Sequence, residues 1–142
     1  VKETWIDKLL SYNISNVKLS RTRRKDLGDA QDIDKEVSLS KEQLKQILDK
    51  VNTNKLVKTY SLGRGGPQRD QLTVSYQVNN QNYTFQIYYS SIVLDSANEE
   101  LKNIFNDNNY EEKNTEYKNQ EGSFYYYAIE GNIESIFDEY FK

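Results

Sequence analysis

The chain contains no cysteine, no histidine and no methionine, and only one proline. The missing cysteine removes disulfides and thiol chemistry together. Without His or Cys, no Ser-His-Asp or Cys-His catalytic system can be built from this chain alone. A zinc site of the His or Cys type is excluded for the same reason. Asp29, Asp32, Asp34 and Glu36 resemble a calcium loop only loosely, since the turn glycine and terminal Glu of that spacing are absent. No metal and no cofactor is therefore expected. Long apolar runs are missing too, and nothing approaches the roughly 18 residues of a membrane span. The chain does not begin with Met, so Val1 reads as a cut point. Membrane attachment is expected only through an anchor upstream of it.

What is present is aromatic and polar. Apolar residues make up 36% of the 142, yet 13% are aromatic, with twelve Tyr and five Phe. A chain of this length buries roughly two thirds of the surface its unfolded form exposes. One domain over residues 1–142, with a small, aromatic-heavy core, is the expectation. The net charge of -3 gives no reason to expect nucleic acid. Residues 1–94 carry a net +5 and residues 95–142 a net -8. Such asymmetry can steer a partner, but two solvated faces of opposite charge are the plainer reading.

Periodicity places the elements. Trp5, Ile6, Leu9 and Leu10 predict a short helix over 2–11, with Thr4 as its cap. Val17 and Leu19 alternate with polar neighbours, as in a strand. Residues 23–35 hold almost no apolar side chains and run from Arg23, Arg24 and Lys25 into Asp26, Asp29, Asp32 and Asp34. They are read as an exposed loop. Ser40 and Gln43 have capping-box spacing ahead of Leu44, Ile47, Leu48 and Val51, the clearest helix in the chain. Leu56, Val57, Tyr60 and Leu62 suggest a strand, which Gly63, Arg64, Gly65, Gly66 and Pro67 end.

Leu72, Val74, Tyr76 and Val78, then Tyr83, Phe85, Ile87 and Tyr89, alternate on either side of an Asn-rich loop over 79–82. This is an antiparallel hairpin with one buried face. Ile92 to Leu94 extends the sheet. Ser96 and Glu99 repeat the capping-box spacing before a short helix through Leu101, Ile104 and Phe105. Residues 106–120 form a polar loop, with a ragged strand near Tyr117. The run 124–129 is a strand, and Ile133, Ile136, Phe137, Tyr140 and Phe141 keep helical spacing. Hairpins dominate and strict βαβ alternation is missing. The fold class expected is α+β, an antiparallel sheet with helices packed on one face.

Candidate binding residues are few. Gly63, Gly65 and Gly66 could let backbone amides approach an anion, with Arg64 and Arg69 adding charge. The G-K-[ST] ending of a phosphate loop is absent, so a flexible connection is the plainer reading. The basic cluster Arg21, Arg23, Arg24 and Lys25 adjoins an acidic run that neutralises it. Tyr88, Tyr89, Tyr125, Tyr126 and Tyr127 could form an aromatic contact surface, since Tyr is common at interfaces, and Tyr88, Tyr125 and Tyr127 are the candidates singled out. Tyr is also a strong strand former, and alternation sends about half of such residues into the core. A two-carboxylate glycosidase needs only Asp and Glu, but it needs one of them in an apolar pocket. Most acids here lie in polar runs, so no catalytic residue is assigned.

Ser38, Ser40, Gln43 and Leu44, then Ile47 and Leu48, the hairpin over 72–89, and the closing Ile136, Phe137, Tyr140 and Phe141 form a recognisable pattern. It resembles small exported or lipoprotein-type domains of low-GC Gram-positive bacteria, over roughly residues 13–142. The resemblance implies a compact α+β fold at the cell surface and carries over no catalytic residue. Two functions are expected from this reading. One is a non-enzymatic extracellular or cell-surface binding or accessory domain, with another protein or a cell-envelope component as partner. The other is an intracellular inhibitor or immunity-type protein whose acidic C-terminal third meets a basic partner.

Overall fold

The computed structural model describes residues 3–63 and 69–142. Thr4 starts helix α1 (Trp5–Ser11) by accepting the Asp7 amide at 3.1 Å. A long strand, β1 (Asn13–Arg23), leads through a 3-10 turn (Lys25–Leu27) to β2 (Ile33–Ser38). Helix α2 (Lys41–Asn52) follows behind its capping box, in which the Gln43 amide donates to Ser40 Oγ at 3.1 Å. The Ser40 amide returns the bond to Gln43 Oε1 at 2.9 Å. Then come β3 (Lys55–Ser61), β4 (Asp70–Val78), β5 (Gln81–Tyr88) and β6 (Ser91–Leu94). Helix α3 (Glu99–Asn106), a two-residue β7 (Glu112–Lys113), β8 (Phe124–Glu130) and a short α4 (Glu134–Phe137) complete the chain.

The strands form one sheet in the order β2-β1-β4-β5-β6-β8-β3-β7. Neighbours are antiparallel except β3 and β7. The result is a single mixed α+β domain. Its core is continuous. The alternating strand residues Leu72, Val74, Tyr76, Phe85 and Ile87 share it with Leu9, Leu44, Leu48, Leu101 and Phe137 of the helices. Each such side chain, fully buried, contributes about 1.5–3 kcal/mol. Helix α1 packs against α2 and α3. Its Trp5 ring lies 5.7 Å from Phe85 and 5.1 Å from Phe105, which in turn sits 4.6 Å from Tyr127. An aromatic chain therefore runs from the N-terminal helix to β8.

The structure departs from the sequence expectations in four places. Residues 23–35 are not one exposed loop. Arg23 is a buried end of β1, and β2 already begins at Ile33. Strand β2 is hard to read in sequence because it lies at the sheet edge, where Lys35 separates the only two apolar residues, Ile33 and Val37, and both are just partly buried. Its hairpin also confirms local neutralisation: Arg24 Nη2 meets Asp34 Oδ1 at 2.9 Å.

Second, residues 106–120 are not all loop. Residue 106 ends α3, β7 pairs with β3, and a 3-10 turn occupies Thr115–Tyr117 where a ragged strand was expected. Asn114, with φ 55, turns the segment so that its amide donates to Thr59 Oγ1 at 2.9 Å. Third, the hairpin turn is two residues, not four. Asn79 and Asn80 have φ 51 and 66, and Val78 pairs with Gln81 directly. Two residues in the left-handed region match the twist of the strands, and Asn enters that region readily. Fourth, α3 is capped by Asn98 rather than Ser96.

The charge asymmetry along the chain closes on itself in three dimensions. Acids of the last third meet cations of the first two: Glu100 with Lys8 (3.1 Å), Glu111 with Lys55 (2.6 Å), Glu134 with Arg69 (3.1 Å) and Glu139 with Lys50 (3.3 Å).

Candidate functional site

Strands β6 and β8 begin as partners and then part. Ser91 pairs with Ala128 and Ile92 with Tyr127, and the ladder ends there. Continued in register, Val93 would face Tyr126 and Leu94 would face Tyr125. Instead a cleft of about 380 Å³ opens between them. That volume falls in the range of ligand pockets, about 300–1,000 Å³.

Each strand keeps its outer partner while it lines the cleft. Val93 and Leu94 remain paired to Gln86 and Phe85 of β5, and Tyr125 and Tyr126 to Tyr60 and Thr59 of β3. The two walls are therefore held by the sheet itself. The Ile129 amide donates to the Ser90 carbonyl at 2.7 Å, so this residue aims its peptide groups toward β6. Alternation gives Tyr125 the same direction, across the cleft toward Leu94.

The lining is aromatic and aliphatic: Ile92, Val93, Leu94, Phe124, Tyr125, Tyr126 and Tyr127, with Ser96, Ser123 and Lys102. Phe124 is 37% exposed at the mouth. Leu62, 52% exposed, follows Ser61, which pairs with Phe124. Together they put apolar surface beside the opening. Lys102 is the one charged side chain among the described lining residues. Its ammonium lies 3.3 Å from the exposed Glu99 carboxylate. Burial disfavours that charge, but Tyr125 and Glu99 outweigh it and hold the Lys102 pKa above the ordinary lysine value. A second cation, Lys58, sits 4.9 Å from the Tyr125 ring centre and donates to Asn106 Oδ1 at 3.1 Å.

Of the residues singled out from sequence, the structure brings two to this cleft. Tyr125 is half-buried in its wall. Tyr127 is fully buried, so it serves as floor and core rather than as exposed contact surface. Its hydroxyl donates to Asn106 Oδ1 at 2.9 Å, and burial pushes its pKa up. Tyr88 lies on β5, one strand from the cleft, and does not line it. Arg69 lies in a separate recess of about 280 Å³ with Tyr89 and Glu134. Both ends of its guanidinium are engaged there, by Asp29 at 3.1 Å and Glu134 at 3.1 Å. Arg64 falls outside the described residues.

Sequence reasoning missed Phe124, Lys102 and the segment 92–94 as site residues, while Tyr126, weighed with the other tyrosines, also lines the cleft. The pattern identified both strands, but the point where their ladder stops depends on long-range geometry. Among the described residues, no three Asp or Glu side chains gather in a metal-holding arrangement. Comparison with protein-family models, with curated proteins and with solved structures finds no match to this chain.

Proposed function

We propose that this protein is a non-enzymatic binding domain, and that the cleft between β6 and β8 is where it holds its partner. One observation carries the reading: the ladder ends at Ile92 and Tyr127, and seven apolar or aromatic side chains line the opening that results. Aromatic residues are enriched at interfaces because they bury large areas with few rotatable bonds. The ionisable groups of the cleft reduce to one lysine and the tyrosines, a poor set for acid–base or nucleophilic chemistry at neutral pH. Display outside the cell, with another protein or an envelope component as partner, rests on the resemblance to exported domains.

A fragment screen on isotope-labelled protein tests the site. Apolar and aromatic fragments are expected to shift the amides of 92–94 and 124–127, and the shifts to vanish in Tyr126→Ala. Hits confined to any other surface would overturn the assignment, and turnover of a small substrate by purified protein would overturn the non-enzymatic reading. Location is settled separately, by the coding frame upstream of Val1: a signal peptide supports display, and its absence places the domain inside the cell.

A further inference from the structure

Resting on the cleft as the binding site, we infer that its occupant is an extended segment of another protein, added as a strand between β6 and β8 and carrying an acidic side chain. Three features of the cleft converge on that chemistry.

The first is the backbone. Strand addition needs peptide groups aimed at an open space, spaced as in a sheet. Tyr125 and Leu94 belong to strands already straightened by their outer partners, Tyr60 and Phe85. The direction of the Ile129 amide fixes the alternation, so the peptide groups of Tyr125 face the opening. An incoming strand would meet one wall on each side, where an ordinary sheet edge offers only one.

The second is the side-chain pattern. In a strand, successive side chains point to opposite faces. Ile92, Leu94, Tyr125 and Tyr127 lie toward the core side of the sheet, and Val93, Phe124 and Tyr126 toward the other. A guest strand would therefore present apolar residues to both. This asks for an apolar segment rather than one with strict polar alternation.

The third is charge. Lys102 is the charged group of the lining; its present partners are the exposed Glu99 at 3.3 Å and the Ser96 carbonyl at 3.4 Å, which a guest carboxylate would replace or share, and Lys58 stands behind Tyr125. A carboxylate on the guest near Lys102 would be complemented, whereas a lysine or arginine there would be repelled. Charge-assisted bonds of this kind are among the stronger polar contacts.

The probe is a library of random linear peptides on phage, panned against the purified domain. Enriched sequences are expected to combine apolar residues with Asp or Glu. A synthetic copy should lose about tenfold in affinity when one backbone amide facing Tyr125 or Leu94 is methylated, a change that leaves every side chain in place. Replacing its acid by the matching amide should also cost about tenfold, and that loss should disappear in Lys102→Gln but persist in Lys102→Arg. Amides of Leu94 and Tyr125 should gain protection from hydrogen exchange on binding.

Affinity indifferent to methylation at every position would overturn the inference, as would enriched peptides without acids. If fragments enter the cleft but no peptide is enriched, the cleft is a small-molecule site: the strand inference fails and the binding site stands. If neither enters, both fail.

Discussion

Asp70, at the first position of β4 and 2% exposed, accepts two hydrogen bonds from one guanidinium: Arg21 Nε to Oδ1 and Nη2 to Oδ2, each at 2.9 Å. Arg23 Nη1 adds a third at 3.1 Å. The pair sits in register across β1 and β4. Arg21 also reaches Asp138 at 2.6 Å and lies 5.2 Å over the Phe141 ring, so one carboxylate organises the sheet end and the C-terminal segment. Asp70→Asn keeps the shape and removes the buried countercharge that Arg21 and Arg23 share, leaving them only the exposed carboxylates of Asp138 at 2.6 Å and Glu134 at 4.0 Å. It is expected to cost about 3–5 kcal/mol. The urea midpoint should fall with the slope unchanged. A midpoint equal to the parent's would mean the ion pair contributes nothing net.

Asn98 does two jobs from one buried position. Its Oδ1 caps α3 by accepting the Leu101 amide at 3.3 Å, and its Nδ2 donates to the Tyr76 hydroxyl at 2.7 Å. Asn98→Ala removes a cap and leaves a buried phenol without that bond. The expected loss is about 2–3 kcal/mol. Asn98→Ser restores a capping oxygen but is too short for Tyr76, and should recover about 1 kcal/mol of it. Equal stability of the two variants would show that the cap is irrelevant.

Gly131 lies between β8 and α4 with φ 157, and a Cβ there would stand 2.1 Å from Asn54 Oδ1. The Asn54 side chain is itself occupied, donating to the Lys50 carbonyl at 3.1 Å at the end of α2. Gly131→Ala must displace that contact, with an expected cost of about 1–3 kcal/mol. Calorimetry of Gly131→Ala, Asn54→Ala and the double variant separates the causes. Removing the clash in the double variant should recover part of the loss, and the remainder relative to Asn54→Ala alone is the strain of a side chain at φ 157.

How far the sequence reaches can be judged from these same residues. The capping box of Ser40 and Gln43 was legible because it is local: four residues carry the whole signal. The hairpin of β4 and β5 was legible because period-two alternation on both sides of an Asn pair leaves little choice. Strand β2 was not, since an edge strand with charged residues on both faces has no alternation to read. Asn98 was passed over for Ser96, whose spacing to Glu99 is better but whose side chain lacks the tertiary partner Tyr76. The cleft was half legible. Tyr125, Tyr126 and Tyr127 stand out as aromatics, but nothing local in 91–94 or 124–130 records that the pairing of these strands ends after two steps. Likewise the acidic last third meets lysines and arginines that are distant in the chain.

The pH limits of the fold follow from its carboxylates and phenols. The Asp29 carboxyl is held below its ordinary value by the Arg24 amide and the Arg69 guanidinium, that of Glu100 by Tyr12 and Lys8, and that of Glu111 by Lys55. These groups bind protons less readily folded than unfolded. Their contribution is complete above the unfolded values, near pH 4, and drains away as pH falls through the folded ones. At the other limit, burial raises the phenols of Tyr76, Tyr110 and Tyr127 above the ordinary value of 10.0. A raised phenol favours the folded state fully below about pH 10 and loses that contribution as pH climbs through the folded value. Stability should therefore be flat between these limits and decline beyond both. The acid decline should shrink in Asp29→Asn, and in high salt, which screens the exposed pairs of Glu100 and Glu111 more than the partly buried Asp29–Arg69 pair. The alkaline decline should be cooperative: tyrosinate absorbance of the buried set should rise together with loss of far-ultraviolet circular dichroism. A smooth rise near pH 10 for every tyrosine, with the dichroism intact, would mean that these phenols are open to solvent and that the aromatic core joining Trp5 to the cleft is not packed as described.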